Sequence, residues 1–150
     1  ILMDLWCKSP GNNPYADITW MAFYGKPTEK FMHVFNTVLA GRDAGLELLQ
    51  NRLSQGQSVQ GYEVDVATRK VLIEAGYKEN LKHRTGHSLG NVITHGDAAH
   101  FDSFETLEER AVLPHLGFTI EPGVYFSEFG VRSEINVYSH PDKVEVTTAI

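Results

Sequence analysis

Two pairs of acidic residues stand 13 positions apart, Asp4 with Asp17 and Glu121 with Glu134, and each pair brackets a turn between extended, apolar, β-prone segments. Opposed residues of an antiparallel hairpin hold their Cβ atoms about 4.5–5.5 Å apart, so each segment can set two carboxylates side by side on one face. Bare carboxylates that close repel by roughly 4 kcal/mol at an effective dielectric of about 20. A cation between them removes that cost. His87, in the glycine-punctuated stretch at 83–90, extends the set to four carboxylates and one imidazole, a donor list for two divalent metals.

The chain of 150 residues is 42% hydrophobic, enough for one compact domain with a core of its own, and residues 1–150 are read as a single domain. A formal charge of −6 leaves no basic footprint for nucleic acid. Cys7 is the only cysteine, which excludes an internal disulfide and a zinc–cysteine cluster and points to a reducing, cytoplasmic location. No apolar run reaches the roughly 20 residues that a membrane-spanning helix needs, so no membrane partner is expected. The first strand begins at residue 1 with no flank, as in a fragment.

Along the chain, Ile1 to Trp6 reads as a strand, Ser9 to Pro14 as a turn, and Tyr15 to Tyr24 as the returning strand. Pro27 and Thr28 suit a helix start, and the spacing of Phe31, Val34, Phe35, Val38 and Leu39 predicts a helix to about Leu53, with Gly56 beyond its end. A second helix is expected from Tyr62 to Ala75, with Val64, Ala67, Val71 and Ala75 as its stripe and Gly76 as its stop. Short strands follow at Gly117 to Phe126, Val131 to Tyr138 and Val144 to Thr148. Strands at both ends with helices between argue for an α+β fold, a curved antiparallel sheet backed by helices.

Alternation places Asp17 and Thr19 on one strand face, and Arg132 and Glu134 on another. Asp4, between Met3 and Leu5 in an apolar strand, is expected to be buried and therefore paired. Oxygen-rich coordination with one imidazole favours manganese, with iron(II) or cobalt next and zinc a poorer fit. Two such ions about 3.5–4 Å apart hold a bridging water as hydroxide at neutral pH. Glu121 is the expected general base, and His83 and His95 the expected donors to the developing oxyanion. Cys7 reads as a packed thiol, and Trp6, Trp20, Tyr125 and Phe126 as core more than pocket. His33, His100, His115 and His140 read as ordinary structural or surface residues.

The segments LMDLWCK, YADIT, HRTGHSLG, FTIEPGVY and GVRSEINVY resemble, in order, the metal-binding motifs of the pita-bread metallopeptidases, the methionine aminopeptidase and creatinase fold, in their Xaa-Pro aminopeptidase and prolidase branch. The resemblance implies a fold of two pseudo-two-fold halves and a dinuclear centre held by Asp4, Asp17, His87, Glu121 and Glu134. It further implies substrate contacts from His83 and His95, with Arg132 beside Glu134, and hydrolysis of peptides with proline at the second position. It allows a homodimer, and it implies catalytic-domain sequence before Ile1, so activity of this segment alone is left open. A non-catalytic binding module, or a metal-dependent lyase or non-peptide hydrolase on the same fold, are the competing readings.

Overall fold

The structure is a computed structural model and describes residues 1–148. Its elements follow the order β1 (Leu2–Cys7), β2 (Ala16–Met21), α1 (Glu29–Ser54), α2 (Gly61–Glu74), β3 (Leu116–Ile120), β4 (Gly123–Tyr125), β5 (Gly130–Arg132), β6 (Ile135–Ser139) and β7 (Val144–Val146). Thr28 starts α1 by accepting the Phe31 N–H at 3.1 Å on its hydroxyl, and Gly56 and Gly76, both with positive φ, follow the two helix ends. Every strand pair is antiparallel. β3, β6 and β7 form one sheet in the order β3–β6–β7, while β1–β2 and β4–β5 are two-stranded. The β3–β6 register runs on unchanged into β4–β5, which makes them one long hairpin interrupted at 121–122 and 133–134.

That interruption carries the first structural reason for a site. The Glu121 N–H is donated to the Thr85 carbonyl at 2.6 Å instead of across the hairpin. Segment 85–89 lies along the free edge of β3, with Thr119 N–H to His87 O and Leu89 N–H to Gly117 O, each at 2.8 Å. Only glycine fits at 86, because a Cβ there would stand 2.1 Å from the Thr119 carbonyl oxygen. On the other flank, the Asn136 side chain joins β6 to β2, accepting the Asp17 N–H at 3.0 Å and donating to the Asp17 carbonyl.

Two apolar clusters lie between helices and sheets. One unites the carboxyl-terminal half of α1 with β3 and β6 through Leu49, Leu53, Phe118, Ile120, Ile135 and Val137, and the other unites the amino-terminal half with β4 and β5 through Phe31, Val34, Val38, Val124 and Val131. No helix among the described residues is long and apolar enough to cross a membrane.

Four expectations need correction. The buried face of α2 is Gly61, Val64, Asp65, Thr68, Arg69 and Leu72, not the stripe through Ala67, Val71 and Ala75, because Asp65 and Arg69 neutralise each other at 2.7 Å beneath the helix. β1 is an exposed strand, with Met3 at 47% and Leu5 at 58% of full exposure, so Asp4 is not a buried charge. Cys7 lies on the same strand and is exposed, not packed. Trp6 and Trp20, at 59% and 51%, are likewise outside the core.

Candidate metal centre

Three elements deliver carboxylates to one point. Asp4 of β1, Asp17 of β2 and Glu134, at the foot of β6, each offer an oxygen, and these oxygens lie within 4.8 Å of one another. Asp4 and Asp17 are diagonal neighbours and not directly opposed, since Asp4 pairs with Thr19 and Asp17 with Trp6. Glu121 arrives from the end of β3 and His87 from the segment beside it. His87 Nε2 is 3.5 Å from Asp17 Oδ2 and 3.3 Å from Glu121 Oε1. Asp4, Asp17, His87 and Glu121 line a cavity of about 440 Å³ together with His83, His95 and Arg132. Glu134 joins the group from its far side, through Asp4 and Asp17, and lines the neighbouring cavity beside Thr19.

The hydrogen-bond inventory is incomplete in an informative way. Glu134 Oε2 accepts the Thr19 hydroxyl at 2.8 Å, and Glu121 Oε1 accepts the Thr119 hydroxyl at 3.1 Å. Glu134 Oε1 and Asp17 Oδ1 are buried with no partner among the described residues. An unpartnered buried carboxylate oxygen is costly, and two of them on carboxylates that approach within 4.8 Å call for a cation. Burial, with the charges of Glu121 and Asp17, raises the Glu134 pKa to about 8. Burial alone would lower the pKa of His87, yet its hydrogen bonds with Asp17 and Glu121 carry it up to about 9. Burial raises the Glu121 carboxyl, but His87 and Arg132 outweigh it and hold the pKa below the usual value. Partial desolvation, on the side of Asp4 that faces the cavity, also raises its pKa, against the opposing pull of Arg132. Protons thus occupy the cluster where cations would, and the oxygen-rich donors with one imidazole fit hard or borderline divalent ions.

Arg132 stands beside other partners than expected. Its Nη1 donates to Asp4 Oδ2 at 2.5 Å and lies 3.6 Å from Glu121 Oε2, while its Nε donates to the Tyr125 hydroxyl at 2.9 Å. Tyr125, expected in the core, is thus part of the site. Its hydroxyl also meets His83 Nε2 at 2.7 Å, and His83 Nδ1 meets the Arg84 carbonyl at 2.7 Å. A carbonyl only accepts, so Nδ1 carries the proton and Nε2 accepts from Tyr125. Both His83 nitrogens are then engaged, and burial keeps the ring neutral by lowering its pKa.

His95 is arranged the other way. Its ring centroid lies 3.9 Å from that of His87, and its Nδ1 is 3.1 Å from Arg84 Nη2, which can only donate. The His95 proton therefore sits on Nε2, and burial, with the charges of His87 and Arg84, lowers its pKa and keeps it neutral. Of the two expected oxyanion donors, His95 retains the uncommitted N–H.

Behind the site, Asp65 of α2 anchors the histidine-bearing segment. It accepts the Thr85 N–H at 2.9 Å, the Ser103 N–H at 2.8 Å and the Ser103 hydroxyl at 2.6 Å, while its partner Arg69 donates to the His83 carbonyl. No periodicity in the sequence marks Asp65 or Tyr125 for these roles, because both partners are remote in the chain.

An antiparallel sheet backed by two helices, with carboxylates and one histidine gathered between strand ends, has the architecture of the pita-bread metallopeptidases. Residues 1–141 match metallopeptidase family M24, and the chain belongs to that family. It is 29% identical over 136 residues to an Xaa-Pro dipeptidase of Lactobacillus delbrueckii subsp. lactis, covering 89% of this chain and 33% of that protein. A probable dipeptidase of Mycobacterium tuberculosis, PepE, is 30% identical over 126 residues, covering 83% of this chain and 30% of that one. Among solved structures, the X-Pro aminopeptidase of Thermotoga maritima superposes with a TM-score of 0.84 at 26% identity, over 99% of this chain and 39% of that chain. The chain spans about a third of the length of the curated relatives it matches.

Proposed function

We propose that residues 1–150 belong to the catalytic domain of a dinuclear metallopeptidase that hydrolyses the bond preceding proline, with Asp4, Asp17, His87, Glu121 and Glu134 as its metal ligands. The observation that carries this reading is the pair of buried, unpartnered oxygens, Asp17 Oδ1 and Glu134 Oε1, on two of the three carboxylates, Asp4, Asp17 and Glu134, that offer oxygens within 4.8 Å of one another. Divalent ions held there supply Lewis acidity and lower the pKa of bound water. Glu121, with the Arg132 guanidinium 3.6 Å from its Oε2 favouring the ionised carboxylate, accepts the proton of the attacking water and passes it to the leaving nitrogen. His95 donates Nε2–H to the oxygen that gains charge. Arg132 holds Asp4 in place and, through Tyr125, fixes His83. Preference for proline rests on the resemblance to the Xaa-Pro branch and on the Xaa-Pro relatives, and manganese is the ion that the donor set favours.

Metal analysis of the purified full-length protein is expected to give close to two equivalents of divalent ion. Hydrolysis of Xaa-Pro substrates should depend on manganese and vanish in Asp17→Asn. A protein that binds no stoichiometric metal and leaves Xaa-Pro bonds intact after manganese addition defeats the proposal. Turnover of non-peptide substrates alone would move the site to lyase or other hydrolase chemistry.

A further inference from the structure

His95 is carried by a hairpin of its own, residues 88–96, whose arms are joined by Gly96 N–H to Ser88 O at 2.7 Å and by Gly90 N–H to Thr94 O at 2.9 Å. Its outgoing arm is fixed, because the Leu89 N–H is bonded to Gly117 of β3. Its tip is not buried. Val92 is 80% and Ile93 64% exposed, so apolar packing does not hold the arm that returns to His95. Segment 8–15, which turns between Asp4 and Asp17, holds the tip instead. Lys8 Nζ donates to the Asn91 carbonyl at 2.5 Å, Asn12 Oδ1 accepts from Asn91 Nδ2 at 2.6 Å, and the Tyr15 N–H is donated to the Gly90 carbonyl at 2.8 Å. Apart from the Arg84 contact to the His95 ring, these are the hydrogen bonds that tie residues 90–95 to the rest of the described chain.

Lys8 is itself held in place. Its Nζ stands 5.3 Å from the centre of the Tyr15 ring, and Tyr15 meets Trp6 edge-on at 5.4 Å, so the ammonium is steadied on the strand pair that reaches Asn91. The turn therefore bridges two hairpins. One carries Asp4 and Asp17, and the other carries His95, whose ring lies 3.9 Å from that of His87. A donor aimed at developing charge keeps its value only while its geometry is held to within about 0.5 Å. Neither Lys8 nor Asn12 lines the cavity of the carboxylates, so any effect of theirs passes through the hairpin. We infer that Asn12, seconded by Lys8, is a positioning residue: by holding Asn91 it keeps the Nε2–H of His95 in register with Asp4 and Asp17, and it acts on the transition state and not on substrate binding. This rests on the peptidase reading, in which His95 donates to the oxygen that gains charge.

The test pairs amide hydrogen exchange with kinetics in the full-length protein. Asn12→Ala removes the acceptor, Asn12→Asp keeps it, and Lys8→Met cuts the other side-chain bond. With chelator present, exchange in the peptide covering 88–96, where the Gly90 and Gly96 N–H groups are bonded, is followed by mass spectrometry. It is expected to quicken by about 2- to 10-fold in Asn12→Ala and Lys8→Met, the range of one hydrogen bond, and to keep the native rate in Asn12→Asp. In the manganese-loaded enzyme, kcat for an Xaa-Pro dipeptide should fall by a similar factor in Asn12→Ala with KM unchanged, and Asn12→Asp should restore it. In a His95→Ala background, Asn12→Ala should cost nothing further. Unchanged exchange in both Asn12→Ala and Lys8→Met overturns the inference, as does quicker exchange with kcat intact. An equal loss of kcat with and without His95 also overturns it, since that marks a purely structural effect. Quicker exchange in a protein that cuts no Xaa-Pro bond supports the tie between the two hairpins and defeats only the peptidase reading.

Discussion

At the scale of single residues, the sharpest tension is in Glu134, which is 2% exposed and keeps one oxygen bonded to Thr19 and the other without a partner. Its charge is repelled by Glu121 and Asp17 when no metal is present, so the same carboxylate that a cation needs destabilises the metal-free fold. Glu134→Gln separates the two effects. At pH 9, where the native side chain is ionised, the variant should stabilise the metal-free protein by about 1–3 kcal/mol. At this chain length that is a rise of roughly 2–4 °C in Tm for each kcal/mol. Manganese affinity should fall by at least about 100-fold, since loss of a mere supporting group already costs about 10–100-fold. Thermal melts with chelator, paired with metal titrations, measure both. A variant less stable than wild type in chelator would mean that Glu134 is satisfied in a way the geometry does not reveal. The five candidate ligands were legible because each sits in a short local motif. Tyr125 and Arg84 were not, because their roles depend on partners such as Arg132 and His95 that only the fold brings near.

The elements that position the site divide into those with a local signal and those without. Both helices, the first hairpin and the last β segment follow from apolar spacing and turn residues, with observed ends within a few residues of the expected ones. The segments expected as single strands at Gly117 to Phe126 and Val131 to Tyr138 are each broken in two, β3 and β4 and then β5 and β6, beside Glu121 and Glu134. Segment 85–89 had no such signal, for its hydrogen bonds go to β3, some 30 residues away, through Thr119, Glu121 and Gly117. The face of α2 was misread for a related reason. A buried Asp65–Arg69 pair looks like a solvated face in the sequence, yet Asp65 is 0% exposed and holds Thr85 and Ser103 in place. Asp65→Asn leaves the buried Arg69 guanidinium without its counter-charge, a loss of about 3–5 kcal/mol. Because Thr85 lies two residues from His87, the same change should also weaken metal binding. Urea denaturation of the metal-free protein checks the first effect and metal titration the second. A loss confined to stability would show that segment 85–89 is held adequately by β3 alone.

For the whole molecule, protonation and metal binding become alternative ways to neutralise one cluster. In the metal-free protein Glu134 titrates near pH 8 against an ordinary 4.5, and His87 near 9 against 6.5. Between pH 4.5 and 8 the folded chain keeps a Glu134 proton that the unfolded chain has released, so stability falls as pH rises. The raised His87 pKa stabilises fully below 6.5, and that contribution is lost as pH rises through 9. Glu121 acts in the opposite sense, since its depressed pKa stabilises above 4.5 and the benefit disappears on acidification below that value. Metal-free stability should therefore peak on the acid side, near pH 5–6, and decline toward pH 8.5. Cations displace those protons, and their affinity grows over the same interval. Differential scanning fluorimetry with chelator is expected to give a Tm that falls between pH 6 and 8.5. With excess manganese the Tm should hold level or rise, so the two curves meet near pH 5 and diverge as the medium becomes basic. Curves that stay parallel across the range would mean that the protons on Glu134 and His87 and the metal ions do not share a site.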